Sequence, residues 1–278
     1  MLYTMSVTIE DIKKLRKMTG AGLSDCKNAL NETAGNFEEA IEIIRAKGKA
    51  VAAKRSDREA AEGCVLAAHS EGFAAIVSLQ CETDFVAKNE GHIALTQQIL
   101  DVAMKEQPAT KEELLQLPLA DGRAVAEHIT DRIGSTGEKM ELGNYEFLKA
   151  PYTTSYIHFG NKLAAIVAFN ESIDDEMARE VAMQVASMNP VAVCENDVPA
   201  HVLEEERKVA MDRARESGKP EAICERIVEG SIQKFYKEST LLHQPFVRDP
   251  KMDVQGYLHT ASKTLTATGF KRVNLNED

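Results

Sequence analysis

The chain has 278 residues, 44% of them hydrophobic, enough to bury a sizeable core and to form two or three structural units. Tryptophan is absent and aromatic residues make up only 5%, so aliphatic side chains and alanine must fill that core. A formal net charge of −11 and a pI near 5.2 speak against a nucleic-acid binder, which needs a basic face for phosphates, and against docking on an anionic membrane; a protein partner or a small molecule remains.

Residues 7–48 read as a compact module of three helices. Ile9, Ile12 and Leu15 recur at helical spacing behind the capping pair Thr8 and Asp11. Two glycines in Thr19-Gly20-Ala21-Gly22 permit a tight reversal. Ser24 is the expected cap of a second helix through Leu30, and Asn36, with Glu39 three residues on, that of a third through Arg45. Lys47 and Gly48 read as its basic last turn and C-terminal glycine. So small a bundle has little core, which makes its exposed apolar loop residues candidate contact surface. Residues 49–58, rich in Ala, Lys and Arg, read as a connector that is free to be helical.

From Gly63 the pattern changes to strands. Residues 65–69 and 73–79 flank the short turn Ser70-Glu71-Gly72 and predict a β-hairpin, with a helix to follow over about 84–104. The same order recurs downstream: Tyr156-Ile157-His158, then Gly160-Asn161, then a returning strand over 162–169. Ala74-Ala75-Ile76-Val77 and Ala164-Ala165-Ile166-Val167 are identical tetrapeptides at the same place in each hairpin. Two copies are too few for a solenoid, and a duplicated β-β-α core of two subdomains fits better. Beyond Pro199 the texture is charged and helix-favouring over 202–216. Ser217-Gly218-Lys219-Pro220 breaks it, and Ile223, Ile227, Ile232 and Phe235 resume a helical stripe. Two helices so joined form an antiparallel hairpin whose arms, at ~1.5 Å per residue, each reach roughly 24 Å and project from the core. The tail over 265–278 is short, and Asn274 onward reads as frayed. The predicted class is α+β.

No motif predicts catalysis. Gly20-Ala21-Gly22 lacks both the phosphate-loop pattern and a preceding strand, so it reads as a helix turn. The histidines are scattered; His69 and His158 occupy matching places in the two hairpins, which suggests a structural role rather than metal binding. Asp174-Asp175 and Glu204-Glu205-Glu206 lie near expected helix starts, where a solvated anionic face needs no chemistry. The cysteines at 26, 64, 81, 194 and 224 are odd in number and form no C-x-x-C pair, so they read as free thiols of a reducing cytosol, most of them buried. No apolar run approaches the ~20 residues of a spanning helix. The first five residues lack the character of a signal peptide, and Met5 is a second candidate start. Neither a metal nor a cofactor is expected.

Thr83-Asp84-Phe85-Val86 stands apart. It follows a strand and opens a helix, with Thr83 or Asp84 as the cap and Phe85 in the first turn. Physics alone prefers a hydrophobic staple packing back on its own domain. The alternative is an exposed aromatic wedge beside a carboxylate, suited to a partner's pocket.

Four stretches occur together in order: Leu15-Arg16 with Thr19-Gly20-Ala21-Gly22 and Asp25-Cys26-Lys27-Asn28-Ala29-Leu30; Thr83-Asp84-Phe85-Val86-Ala87-Lys88; Ser217-Gly218-Lys219-Pro220; and Gln244-Pro245-Phe246-Val247. In this the chain resembles the bacterial elongation factor Ts family. The resemblance covers nearly the whole chain and rests on the ordered set, since any single tetrapeptide is weak.

The resemblance implies a ubiquitin-associated-like bundle at 6–56, a core subdomain with the Thr83–Val86 segment at 57–145, and a second core subdomain at 146–270. It places the helical hairpin, a short coiled coil, at 200–238 inside the second subdomain, and a short tail at 271–278. It implies a cytoplasmic, non-enzymatic guanine-nucleotide exchange factor that binds elongation factor Tu, GDP-bound or nucleotide-free, with no nucleic acid and no membrane; a homodimer or a 2:2 complex is left open. Thr83, Asp84, Phe85 and Val86 fall on the segment that disturbs the partner's Mg²⁺ site. Arg16, Leu23, Ser24, Lys27, Gln184 and Val247 fall on partner-contact positions. The chain departs from the family in carrying Gln184 where a contact histidine occurs, Arg248 where an apolar residue can occur, and no extra C-terminal helix. The rival readings are a small-molecule enzyme with a cleft between the repeats, and a pure scaffold.

Overall fold

The computed structural model describes residues 7–276. The second candidate start at Met5, the first residue of the 6–56 span and the last two residues of the tail lie outside them. The chain is mixed α+β and divides into two units. One holds residues 7–66, 77–145 and 274–276; the other holds 67–76 and 146–273.

The first unit opens with α1 (Ile9–Thr19), α2 (Leu23–Glu32) and α3 (Phe37–Lys54). Thr8 and Asp11 form the expected reciprocal capping box, at 3.0 and 3.1 Å. Gly20 ends α1 at φ 69°, its amide donating to the Arg16 carbonyl at 2.8 Å. Leu15, Cys26, Leu30, Ala40 and Ile44 close a small core between the three helices. Two expectations shift here. Gly22 rather than Ser24 is the cap of α2, and Ser24 lies inside the helix. The third helix runs through Gly48 to Lys54 instead of ending there. Gly48 is not a stop: it lies against α7 (Val125–Thr136), where a Cβ added to Gly134 would sit 2.8 Å from the Gly48 Cα. Two glycines let the helix backbones approach, and that long-range contact outweighs the local tendency to end.

β1 (Glu62–Ser70), β2 (Phe73–Cys81) and β3 (Met140–Lys149) form a three-stranded sheet in the order β1-β2-β3, with the expected first hairpin. Between β2 and β3 run α4 (Asp84–Ala87), α5 (Glu90–Glu106), α6 (Lys111–Gln116) and α7. A single helix over 84–104 was expected; the chain breaks at Asn89, which turns extended and accepts the Gly91 amide at 3.0 Å, capping α5 afresh.

In the second unit β4 (Tyr152–Ile157) pairs antiparallel with β5 (Leu163–Phe169), with Thr154 opposite Val167, and β8 (Ala267–Asn274) borders β5. The stretch read as a short tail is therefore largely a strand. α8 (Asp175–Met188) lays Val181 and Val185 on this sheet against Val167 and Phe169. The predicted helical hairpin is α9 (Ala200–Glu216) and α10 (Glu221–Ser239), zipped by Ala210, Val228 and Ile232. A short strand pair follows, β6 (Pro245–Phe246) and β7 (Asp249–Asp253), and then α11 (Val254–Leu258).

Candidate functional site

Thr83 follows β2 in extended conformation, and its Oγ1 accepts the Val86 amide at 3.4 Å, capping α4. A four-residue helix cannot hold itself, because nucleation fixes several dihedrals for one hydrogen bond. Its support comes from elsewhere in the first unit. Glu138, just past the end of α7, accepts the Thr83 amide at 3.1 Å on one carboxylate oxygen and the Thr83 hydroxyl at 2.7 Å on the other. Glu82 accepts the Lys139 amide at 2.6 Å and the Arg55 guanidinium at 2.7 and 2.9 Å; those bonds hold its carboxyl below the usual carboxylate range. The Cys81 thiol donates to the Thr83 carbonyl at 3.2 Å and is pushed up to about 12, chiefly by burial. Downstream, Asn89 accepts the Arg132 guanidinium at 2.5 Å.

On this platform Ala87 is buried, Val86 is half-buried and Phe85 is 84% exposed. The aromatic does not staple back on its own domain. Asp84 pairs with Lys88 one turn on at 2.7 Å, and the hydrogen bond raises the lysine's pKa. The carboxylate beside the aromatic is thus engaged on its own helix.

The bundle residues flank the turn at 20–22. Arg16 lies in the last turn of α1, and Leu23, Ser24 and Lys27 share the first turns of α2; all four are exposed, with Ile9 and Met18 adding apolar surface. The ion pair from Arg55 to Glu82 ties the far end of α3 to the Phe85 platform.

In the second unit Gln184 is 1% exposed and faces inward. Its Nε2 donates to the Gln244 side chain and to the Pro245 carbonyl, each at 3.2 Å, and its Oε1 accepts the Val247 amide at 2.9 Å. Gln244 in turn donates to the carbonyls of Met188 and Glu238 at 3.3 and 2.9 Å. Glu180, one turn before Gln184, holds Arg248 and the Tyr257 hydroxyl, while Phe246 stacks on Tyr257 with ring centroids 4.1 Å apart. One face of α8 therefore fixes the turn at 244–248 and leaves Val247 half exposed.

Glu138, Glu82, Arg55 and Gln244 escaped the sequence reading as supports. Glu138 lies 55 positions beyond Thr83, and no local pattern announces such a pairing. Among the described residues, no group of three or more His, Cys, Asp or Glu side chains could hold a metal ion, and no helix is long and apolar enough to cross a membrane. The five cysteines form no disulfide with one another, and of the five only Cys194 is not buried. Through Nδ1, His69 bonds Ser155 of β4 at 2.8 Å, whereas His158 bonds Tyr156, two residues before it, at 2.9 Å.

The family model described as Elongation factor TS matches residues 82–277, beginning at the residue before Thr83. Elongation factor Ts of Porphyromonas gingivalis is 63% identical over 274 residues, covering 99% of this chain and 100% of the relative. Elongation factor Ts of Azobacteroides pseudotrichonymphae is 54% identical over 273 residues, covering 98% of this chain and 99% of the relative. That of Bacteroides fragilis is 41% identical, covering 99% of this chain and 100% of the relative. With the match running through the Phe85 platform, the turn at 244–248 and the rest of the chain, the protein belongs to the elongation factor Ts family.

Proposed function

We propose that this chain releases GDP from elongation factor Tu by driving Phe85 into the partner's nucleotide domain. As a member of its family it is a guanine-nucleotide exchange factor of translation elongation. It makes and breaks no covalent bond. The observation that carries the wedge is the exposure of Phe85 on a helix of one turn that is clamped from three sides. An aromatic held out in water at such a fixed point gains the free energy of burial only when a partner covers it, about 1.5–3 kcal/mol for a fully buried side chain.

In this reading Arg16, Leu23, Ser24 and Lys27 dock the ubiquitin-associated-like bundle, residues 6–56, on the nucleotide domain. Thr83 to Val86, in the subdomain at 57–145, shift the elements that hold the partner's Mg²⁺. Losing that cation strips charge compensation from the GDP phosphates, and GDP leaves faster. Val247, in the second subdomain at 146–270, supplies the other grip. Gln184 acts through Val247, since its own side chain faces inward. Linkage requires that whatever weakens nucleotide binding strengthens the grip on the empty partner by the same factor, so incoming GTP expels the exchange factor. The two hairpin-and-helix units, each with its Ala-Ala-Ile-Val strand, support a duplicated core in which only the first copy carries a wedge. We place the activity in the cytoplasm, with neither nucleic acid nor membrane as a partner.

Stopped-flow release of a fluorescent GDP analogue from elongation factor Tu, with and without the chain, tests the reading. Acceleration that saturates with concentration is expected; none would overturn it.

A further inference from the structure

The Phe85 platform raises a mechanical question. α4 has only four residues, and the amides of Ala87 and Lys88 supply its helical bonds, to Thr83 and Asp84 at 3.1 Å each. A turn that short frays freely unless its first residue is fixed from outside. Yet the aromatic it carries must displace packed elements of another protein.

We propose that Glu138 is the positioning residue of exchange: it locks Thr83 so that Phe85 enters the partner as a rigid body. Its two carboxylate oxygens take both donors of Thr83, the amide at 3.1 Å and the hydroxyl at 2.7 Å. The hydroxyl's proton is thereby turned toward Glu138, leaving a lone pair of Oγ1 for the Val86 amide that starts the helix. Both bonds end on a carboxylate, the stronger class of hydrogen bond. Glu138 is itself aimed. α7 ends at Gly137 with φ 74°, and the Glu138 amide donates to Thr136 Oγ1 at 3.3 Å. α7 in turn is pressed on α3 at Gly134 and Gly48. A continuous rigid path thus runs from the bundle to Phe85: α3, α7, Glu138, Thr83, α4.

The inference rests on the wedge reading and deepens it. Arg16, Leu23, Ser24, Lys27 and Val247 do not depend on Glu138, so the complex still forms when the clamp is cut. A loosened Phe85 still enters its pocket but pushes less effectively. Loss of Glu138 therefore lowers the maximal rate of GDP release rather than the affinity for the GDP-bound partner.

The test is stopped-flow release of the GDP analogue from elongation factor Tu over a concentration series of the full chain. Glu138→Ala is expected to lower the maximal rate about tenfold, the loss of charge-assisted bonds, while the half-saturating concentration moves less than about twofold. Glu138→Gln should recover most of the rate, because its amide oxygen still accepts from Thr83 and its amide nitrogen can donate to the hydroxyl. Thr83→Ala combined with Glu138→Ala should be no slower than the slower single variant, since both cut one clamp. If Glu138→Ala does not fold, Thr83→Val carries the test with the same expected split between rate and half-saturation. A maximal rate equal to wild type overturns the proposal. So does a half-saturating concentration that rises in step with the loss while Glu138→Gln is no better than Glu138→Ala, the signature of general loosening. Phe85→Ala separates the two layers. If it exchanges at full rate, the wedge reading fails and the clamp with it; if it is impaired while Glu138→Ala is normal, only the clamp fails.

Discussion

The Val247 amide donates to Gln184 Oε1 at 2.9 Å, so a half-exposed residue is held by a side chain that is itself 1% exposed. The bond joins α8 to the turn at 244–248 across 63 positions of sequence and makes Gln184 a support of the contact surface.

Gln184→Ala should therefore do two things at once. It leaves the Val247 amide and the Pro245 carbonyl without their side-chain partner, which costs about 1–3 kcal/mol of stability. It also weakens binding to elongation factor Tu, whereas Val247→Ala weakens binding with stability nearly unchanged. Urea unfolding and calorimetric titration of the three proteins check this. Equal binding by Gln184→Ala and wild type would contradict the role.

The resemblance points to a histidine at this position in the family, which suggests a sharper experiment. A neutral imidazole offers one donor and one acceptor, enough for Pro245 and Val247, whereas an imidazolium has no acceptor. Gln184→His should bind nearly as wild type at pH 8 and lose affinity only at a pH below about 6.5, the ordinary histidine value, because burial and the Val247 amide both favour the neutral ring. Wild type, with an amide there, should show no such loss. Parallel affinity profiles for the two proteins would rule the idea out.

Gly134 offers a test of the packing beneath the platform. A Cβ there would meet the Gly48 Cα at 2.8 Å, and backbone cannot step aside as a side chain can. Gly134→Ala should destabilise the first unit by about 1–3 kcal/mol despite its gain in helix propensity. Gly230→Ala in α10 has open space around it and should be neutral or slightly stabilising. Unfolding free energies of the two variants, from denaturant titration, should differ by at least about 1 kcal/mol, with Gly134→Ala the less stable.

These two pairs also show what was legible beforehand. Gly48 reads as a helix stop because basic residues precede it, a local pattern; its actual neighbour lies 86 positions on, where no local pattern reaches. Asn89 carries a usable signal, an Asn-Glu start inside a longer helical stretch, but the apolar pattern runs on across it and masks the break. Thr8 and Asn36 are legible as caps, and Thr83 as one of two candidates with Asp84, because a cap and its partner sit within three residues. Phe85 lay between these cases. Its place in the first turn was local, but its exposure depended on where Glu138, Arg55 and Arg132 hold the segment. The hairpins and the repeated Ala-Ala-Ile-Val strands were legible from patterning; the joining of Gln184 to the turn at 244–248 was not.

His92 gives a pH dependence of stability. The ring is fully buried, and its Nε2 donates to the Leu79 carbonyl at 2.9 Å. Burial lowers its pKa; the Leu79 carbonyl and Glu138 oppose the shift, and Arg132 adds to it. The unfolded chain takes up a proton near 6.5 and the folded chain resists it. The contribution is therefore full above about 6.5 and is lost as pH falls toward the depressed folded value. Unfolding free energies at pH 7.5 and 5.5 should differ for wild type and differ less for His92→Gln, which keeps a donor toward Leu79. An unchanged difference would assign the slope to other groups.

The central claim concerns Phe85, and the most direct measurement is the maximal rate at which Phe85→Ala releases a fluorescent GDP analogue from elongation factor Tu. An exposed side chain contributes little to its own fold, so the variant should melt as wild type does. Truncation of an interface anchor costs at least about 2 kcal/mol, which predicts a maximal rate reduced roughly thirtyfold or more, with binding through Arg16, Leu23, Lys27 and Val247 retained. A variant that binds normally and releases GDP at the wild-type rate would contradict the account.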